Sequence, residues 1–163
     1  MKNQIEKTNA IRIIEQKKLN YQFHDYVGTN AISGEDVAKV LNQDPNHVFK
    51  TLVTIGKSNN HYVFLVPVNM ELDLKKAAIA VNEKNIEMIK SKDLLPLTGY
   101  IHGGCSPVGM KKFFVTTIDE TAKNFPTIMF SGGAIGMQVE TSLSELSKVI
   151  RFSTANLTKE ENQ

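Results

Sequence analysis

Residues 48–68 read VFKTLVTIGKSNNHYVFLVPV, and this stretch decides the fold. Two runs rich in β-branched and aromatic residues, Val48–Ile55 and Tyr62–Val68, flank a polar connection of Gly, Lys, Ser and Asn. Strand-forming runs separated by a short glycine-containing turn are typical of a β-hairpin. We therefore predict two antiparallel strands here and expect the rest of the sheet to assemble around them.

Helices and strands follow one another irregularly on both sides of this hairpin. Before it, we predict a helix over Thr8–Lys18, a short strand over Tyr21–Tyr26 and a second helix capped by Ser33. Asp44-Pro45 predicts a turn or a short helical start. After the hairpin we predict a helix capped by Asp73 and running through Ala80, a short strand Ile86–Ile89, and a helical turn Ser91–Leu95 stopped by Pro96. A Gly-rich strand and loop, Tyr100–Gly109, follows. The chain then gives three more predicted strands, Phe113–Ile118, Thr127–Phe130 and Met137–Glu140, and a closing helix with Leu143, Leu146, Val149 and Ile150.

This order of elements favours an α+β fold over the regular βαβ alternation of a doubly wound sheet. We predict one compact domain over residues 1–163, with a curved, mostly antiparallel mixed sheet, barrel-like, and helices packed outside it. A length of 163 residues suits one domain with a sizeable core. Segments 1–6 and 156–163 are expected to fray.

The net charge and the distribution of apolar residues limit the classes of function that this chain can have. The net charge of +2 is too small for a protein that holds nucleic acid by charge alone, so an RNA substrate would be held locally or with help from a partner. No apolar run approaches the ~20 residues of a membrane span, and no secretory signal is visible. We therefore expect a cytoplasmic protein that does not contact a membrane.

Lys50 is the residue that fits its surroundings least. It lies in VFKTLV, residues 48–53, a run that is apolar on both strand faces. Because a buried, unpaired ammonium costs several kcal/mol, such a lysine must reach water, find a partner or line a cavity. An edge-strand lysine whose head reaches water and a cavity-lining lysine with a lowered pKa both fit the pattern.

Two glycine-rich segments also stand out, GYIHGGCSPVG at 99–109 and SGGAIG at 131–136. Such segments permit close backbone approach to a ligand, and their N–H groups can form an anion or oxyanion site. Tight turns or bulges explain them equally well. Neither segment matches a phosphate-binding fingerprint.

Other catalytic chemistries have little support in the sequence. The single cysteine, Cys105, could be a nucleophile, but no Cys/His signature surrounds it. Four scattered histidines and one cysteine show no metal-ligand spacing, so we predict no metal and no cofactor.

These features, taken together and in order, resemble a known family. FKTL at 49–52, TGY at 98–100 with GGCSPVG at 103–109, and SGG at 131–133 are similar to the YbaK/EbsC-type Cys-tRNA(Pro) deacylases. These are relatives of the editing domain of prolyl-tRNA synthetases. The resemblance extends from about Thr8 to Ile150.

The resemblance implies a substrate and a site. The substrate would be tRNA(Pro) mischarged with cysteine, and prolyl-tRNA synthetase would be a partner. Lys50 would be the catalytic residue. The substrate-binding residues carried over by position are Tyr26, Thr51, Gly103, Gly104, Ser106, Pro107, Gly109, Ser131, Gly132 and Gly133.

Two departures limit what can be carried over. Some relatives have an acid where this chain has Gln138, so no acidic role is transferred there. The stretch Val27–Ser33 looks shorter than in some relatives, so no gate residue is taken from it.

The absence of an obvious protein nucleophile fits the family's route, in which the substrate's own thiol attacks its ester. Lys50 would then position the substrate, and backbone N–H groups near 103–104 or 132–133 would contact the carbonyl oxygen. Three alternatives remain open: the same fold acting on Ala-tRNA(Pro) or other mischarged tRNAs, a non-catalytic module that binds a nucleotide or RNA end, and a plain interaction protein without a pocket.

Overall fold

The computed structural model describes residues 7–160. The helices are α1 (Asn9–Gln16), α2 (Gly34–Val40), α3 (Leu74–Val81), α4 (Ser91–Thr98) and α5 (Leu143–Leu146). The strands are β1 (Gln22–Asp25), β2 (Phe49–Gly56), β3 (His61–Pro67), β4 (Ile86–Met88), β5 (Val115–Asp119), β6 (Ile128–Ser131), β7 (Met137–Thr141) and β8 (Ser153–Ala155). Two short 3₁₀ turns cover Pro45–His47 and Glu120–Asn124.

The predicted hairpin is confirmed and is the centre of the larger sheet. β2 and β3 pair antiparallel from Phe49 opposite Pro67 to Ile55 opposite His61. This sheet has the order β4-β2-β3-β5-β8. β5 and β8 run parallel to their neighbours, whereas β4 is antiparallel to β2.

The remaining strands form a second, antiparallel sheet of order β1-β7-β6. The two sheets meet through one parallel bridge, between Val48 and Met129. The α+β class and the mostly antiparallel mixed pairing are confirmed, but the barrel-like closure is wrong. Among the described residues the sheets do not close, because the outer strands β1 and β8 each pair with one neighbour only, β7 and β5 respectively, and not with each other.

Apolar side chains pack on both faces of the larger sheet. On one face, Phe49, Val63 and Leu65 pack with α1 residues and with Phe130 of the smaller sheet. On the other face, a separate cluster packs under α3; its buried members are Tyr62, Phe64, Val66, Leu72, Ala77, Ala78, Ile86 and Leu157. A strand buried on both faces explains why the hairpin sequence is apolar throughout rather than alternating.

Several predicted elements have different bounds. Helix α4 continues through Pro96 to Thr98, because Leu94 and Leu97 pack against the core and the helix ends only at Gly99, whose φ is 89°. The predicted strand at 100–109 is wrong; this segment is loop. Helix α5 ends at Leu146, so the closing helix is shorter than its apolar spacing predicts.

The C-terminal segment is ordered where fraying was expected. Leu157 is fully buried, and its N–H donates to Oδ1 of Asp119 at 2.8 Å. Leu72 and Thr158 form an isolated bridge. The expectation of fraying is therefore wrong for 156–160, while segments 1–6 and 161–163 lie outside the described residues. Within 7–160, none of the helices combines the length and apolar character that crossing a bilayer requires.

Asp119→Ala should destabilise the protein by about 2–3 kcal/mol, because it removes a buried charge-assisted acceptor of the Leu157 N–H and the cap of the turn that follows. Asp44→Ala is the matched control, since Asp44 is an exposed cap of a similar turn and holds no distant segment. It should cost about 1 kcal/mol or less. Urea unfolding of both variants measures the difference, and equal losses would show that Asp119 does not anchor the C-terminal segment.

Candidate active site

A gap in the sheet forms the site. β4 pairs with β2 only from Thr54 to Gly56, and the last bond on that side runs from the Ile89 N–H to the Val53 carbonyl at 3.3 Å. At the other end, β6 reaches β2 only at the Val48–Met129 bridge. Residues 50–52 are left without a strand on this edge, and a cavity of about 470 Å³ opens there.

The cavity wall is built from several elements that meet at the gap. They are β2, Val68 just after β3, the start of α2, the segment from Met88 through the first turn of α4, the loop at 102–105, Tyr26 just after β1, and one residue each of β6 and β7. The lining residues are Tyr26, Ile32, Ser33, Gly34, Glu35, Val37, Val48, Phe49, Lys50, Thr51, Leu52, Val53, Val68, Met88, Ile89, Lys90, Ser91, Leu94, His102, Gly103, Cys105, Ser131 and Gln138.

Lys50 lines this cavity and is half-buried. Among the described residues it forms no ion pair within 4.0 Å. Burial lowers the pKa of its ammonium, and the carboxylates of Glu71 and Glu35 partly oppose this by favouring the charged form. Of the two sequence alternatives, the cavity-lining lysine is the one observed.

Thr51 presents its backbone to the gap. Antiparallel pairs alternate between hydrogen-bonded and non-hydrogen-bonded positions. The Val68 N–H donates to the Val48 carbonyl and the Gly56 N–H to the Asn60 carbonyl, both at 2.8 Å, so the even-numbered residues of β2 bond to β3. The N–H and carbonyl of Thr51 therefore point toward the open edge.

Three cavity-lining residues each carry a buried polar atom that has no hydrogen-bond partner within residues 7–160. These atoms are the Tyr26 hydroxyl, Oγ1 of Thr51 and Oε1 of Gln138. An unsatisfied buried polar atom costs about 1–3 kcal/mol, and the great majority of such atoms in native proteins are paired. They are the only buried side-chain oxygens or nitrogens without partners in the described chain, and all three belong to cavity-lining residues. This concentration indicates a ligand site.

The structure separates the sequence-predicted site residues into two groups. Tyr26, Lys50, Thr51, Gly103 and Ser131 come together around the cavity. The remaining predicted residues do not line it: they are Gly104, Ser106, Pro107, Gly109, Gly132 and Gly133.

The second group shapes the loops behind the cavity. A Cβ at Gly104 would lie 2.9 Å from Cα of Ala134, so only glycine lets the two loops approach this closely. The buried Ser106 accepts from the Val108 N–H at 3.2 Å. These contacts hold the loops in place, and direct substrate binding by the group stays a prediction.

Most of the glycine N–H groups expected to face a carbonyl oxygen are already used. Those of Gly104, Gly132 and Gly133 donate to Ile101 O, Met137 O and Ser131 Oγ respectively, at 2.9–3.1 Å. Gly103 lines the cavity, and its N–H has no hydrogen bond within the described chain. The open-edge Thr51 is a donor that sequence reasoning missed.

Cys105 lines the cavity but is buried, and burial raises the pKa of its thiol to about 12. At neutral pH it is a neutral thiol, and only the thiolate is a good nucleophile. A catalytic Cys105 is therefore disfavoured on chemical grounds. No group of three or more potential metal-ligating side chains occurs within residues 7–160.

Sequence reasoning also missed Glu35, Lys90, His102 and Gln138 as cavity residues. Gln138 carried a signal, because it is a polar residue between Met137 and Val139 in a strand. The others lie in ordinary polar segments, and only the divergence of β4 and β6 brings them together.

Comparison with known proteins gives a consistent result. Residues 29–149 match the family described as "Aminoacyl-tRNA editing domain". A protein of Enterococcus faecalis named "Putative Cys-tRNA(Pro)/Cys-tRNA(Cys) deacylase EbsC" is 41% identical over 96% of both chains. A proline–tRNA ligase of Pseudothermotoga lettingae is 30% identical over 86 residues, which are 53% of this chain and 15% of the ligase.

Solved structures share the fold. One, titled "Crystal structure of a putative trans-editing enzyme for prolyl tRNA synthetase", superposes with a TM-score of 0.81 at 22% identity and covers 96% of this chain and 100% of that one. A second, of a protein described as hypothetical, has a TM-score of 0.84 at 18% identity and covers 93% and 100%.

The lysine pKa can be measured directly. Lys50 should titrate at lower pH than the other lysines, because burial disfavours its charge, and Glu35→Gln should lower its pKa further by removing an opposing carboxylate. NMR titration of ¹³Cε-labelled lysine, with Lys50→Met used to assign the signal, gives both values. Glu120→Gln is the control, because Glu120 is exposed and outside the cavity wall. A Lys50 pKa equal to that of surface lysines would contradict the burial.

Proposed function

Because this chain belongs to the aminoacyl-tRNA editing domain family, we propose that it is an aminoacyl-tRNA deacylase that hydrolyses Cys-tRNA(Pro) in trans. The observation that carries the proposal is the gap in the sheet, where the cavity-lining residues include a half-buried lysine and the three residues whose buried polar atoms lack a partner within residues 7–160. A volume of about 470 Å³ is within the range of small-molecule sites and suits an aminoacyl group with part of its terminal nucleoside.

Lys50 is the proposed catalytic residue. Its ammonium is a strong donor that has no carboxylate partner in the part of the chain the structure describes, and burial strengthens its interactions. It would hydrogen-bond the ester or ribose oxygens and stabilise the negative charge that develops on them. It acts as neither base nor nucleophile in this proposal.

The nucleophile would be the substrate's own thiol. The cysteine sulfur attacks the ester carbonyl carbon, the bond from that carbon to the ribose oxygen breaks, and the thiol proton ends on the released ribose hydroxyl. The products are free tRNA and a four-membered thiolactone, which water opens to cysteine. Enforced proximity of sulfur and carbonyl is the main protein contribution to this step.

Two backbone N–H groups can serve the carbonyl oxygen. Thr51 directs its N–H to the open edge, and the N–H of Gly103, another cavity-lining residue, has no hydrogen bond within residues 7–160. Removing one such donor typically costs about 10²–10³ in rate. The N–H groups of Thr51 and Gly103 therefore take the role that the sequence assigned to the N–H groups near 103–104 or 132–133.

Prolyl-tRNA synthetase is the proposed partner. The net charge of +2 gives this chain little general electrostatic attraction for tRNA. A synthetase that binds tRNA(Pro) would therefore supply most of the binding affinity. The enzyme would then work in the cytoplasm, where tRNA is charged.

A broader substrate range is the second candidate. The Enterococcus relative's name includes Cys-tRNA(Cys), which favours recognition of the cysteinyl group over tRNA identity. Ala-tRNA(Pro), by contrast, lacks the thiol that the proposed step needs. A binding module without turnover would hold the aminoacyl end and leave the ester intact.

Lys50→Met should reduce kcat/KM for Cys-tRNA(Pro) by about 100-fold or more, because it removes the cation that β2 itself contributes to the cavity wall. Deacylation of purified Cys-tRNA(Pro) measures this. Lys39→Met, an exposed change on α2 outside the cavity wall, and Cys105→Ala should both keep substantial activity. Full activity in folded Lys50→Met would refute the role of Lys50, and a folded but inactive Cys105→Ala would restore the protein nucleophile.

A substrate panel tests the chemical step separately. Cys-tRNA(Pro) and Cys-tRNA(Cys) should be hydrolysed at similar rates without synthetase, while Ala-tRNA(Pro) and Pro-tRNA(Pro) should be at least about 100-fold slower, because neither carries the attacking thiol. Rates above the spontaneous hydrolysis of each ester give the comparison. Equal hydrolysis of Ala-tRNA(Pro) would exclude the substrate-thiol route as the sole mechanism.

A further inference from the structure

Gln138 lines the wall of the cavity. It lies in β7, directly opposite His24 of β1 and Ser131 of β6. Residues directly opposite in adjacent strands share a sheet face, so these three side chains form one polar row. The Gln138 side chain is only 6% exposed and lines the cavity.

The packing of β7 does not explain a glutamine at this position. Its Oε1 is buried and accepts no hydrogen bond within the described chain. An apolar residue of similar length, such as methionine, would avoid the desolvation cost of about 1–3 kcal/mol. A buried amide without a partner in the folded protein therefore indicates a partner that arrives with a ligand.

The unpaired atom specifies the kind of partner. A carboxamide oxygen accepts hydrogen bonds, so the missing group is a donor. The other two unpartnered atoms, on Tyr26 and Thr51, are hydroxyls that can either donate or accept. The final torsion of glutamine is soft, so its amide can turn toward a bound donor at little cost.

The aminoacyl group itself has one group that must donate, its α-ammonium. The ester oxygens only accept, and the thiol is a weak donor. The ammonium groups that line the cavity are Lys50 and Lys90, and its one carboxylate among the described residues, Glu35, already favours the charge of Lys50, so a bound ammonium needs a further acceptor. A neutral amide supplies it without forming an ion pair that would draw Lys50 away from the ester.

We propose that Gln138 positions the substrate by accepting a hydrogen bond from the α-ammonium of the aminoacyl group. This assignment rests on the proposed function and adds to it a residue that contacts the α-ammonium of the amino acid rather than the ester oxygens. Gln138 acts on binding geometry: it holds the α-carbon so that the thiol faces the carbonyl, while Lys50 serves the oxygens.

The test compares two substrates that share the thiol and differ in the amine. Cys-tRNA(Pro) and 3-mercaptopropionyl-tRNA(Pro), which lacks the α-ammonium, are assayed with wild type and Gln138→Met. On the cysteinyl ester the variant should lose about 10–100-fold in kcat/KM, the worth of a hydrogen bond to a charged group. On the deamino ester it should lose less than about 3-fold, because the interaction is already absent.

Gln43→Met is the matched control. Gln43 is half-buried, lies outside the cavity wall and already accepts from His47 at 3.0 Å. Its replacement should not change the ratio of the two substrates. Gln138→Met should also keep or raise the thermal midpoint of unfolding, because it removes an unpaired buried acceptor, whereas a structural role would lower it.

Each outcome has a distinct reading. Equal losses of Gln138→Met on both esters, or no loss on the cysteinyl ester, would overturn the assignment while leaving the deacylase function intact. Wild type inactive on both esters would remove the proposed function and this assignment with it. If Gln138→Met does not fold, Gln138→Leu replaces it, and failure of both to fold would make Gln138 a structural residue.

Discussion

One edge of β2 is the constraint on which the site depends. β3 covers the other edge along the whole strand, from Phe49 to Ile55. Two strands compete for the free edge, and each takes one end: β4 beyond Val53 and β6 at Val48. The middle is left open because neither strand extends far enough, and this opening exposes the backbone of Thr51 where Lys50 also lines the wall.

The same opening explains how the protein tolerates groups that a closed sheet would reject. A lysine in a fully covered strand would bear the whole cost of desolvation. Here the cavity leaves Lys50 half-buried, and two carboxylates favour its charge from a distance without pairing with it. A close ion pair with Glu35 would lower the free-energy cost of burying Lys50, but it would also occupy the ammonium that a substrate needs. The same holds for Tyr26, Thr51 and Gln138. Each has one buried polar atom that makes no hydrogen bond within residues 7–160 and can therefore bond to a ligand.

Sequence reasoning reached the hairpin and the α+β class, which depend on local composition, and it singled out Lys50 as one charge in an apolar run while leaving both a water-exposed and a cavity-lining position open. It did not reach the open edge, because the reach of β4 and β6 depends on how distant segments pack. The glycine loops show the limit most clearly. Their residues could be singled out, but Gly104 and Gly132 use their N–H groups inside the fold, whereas the Thr51 N–H is free only because of strand register. The fixed C-terminal segment was missed for a similar reason, since its anchor, Asp119, lies 38 positions away.

The division of the sheet also separates the segments whose sequence is constrained by packing from the segments whose sequence can vary during evolution. The hairpin of β2 and β3 carries Lys50 and Thr51 and is buried on both faces, so its sequence is tightly constrained. The lining of the gap comes instead largely from the segment after Met88 and from residues 32–37 at the start of α2, which face the open edge of β2. Insertions or substitutions in those segments can reshape the cavity for a different amino acid while the central hairpin stays unchanged. An ancestral scaffold of this kind could diversify its substrate range without first losing its stability.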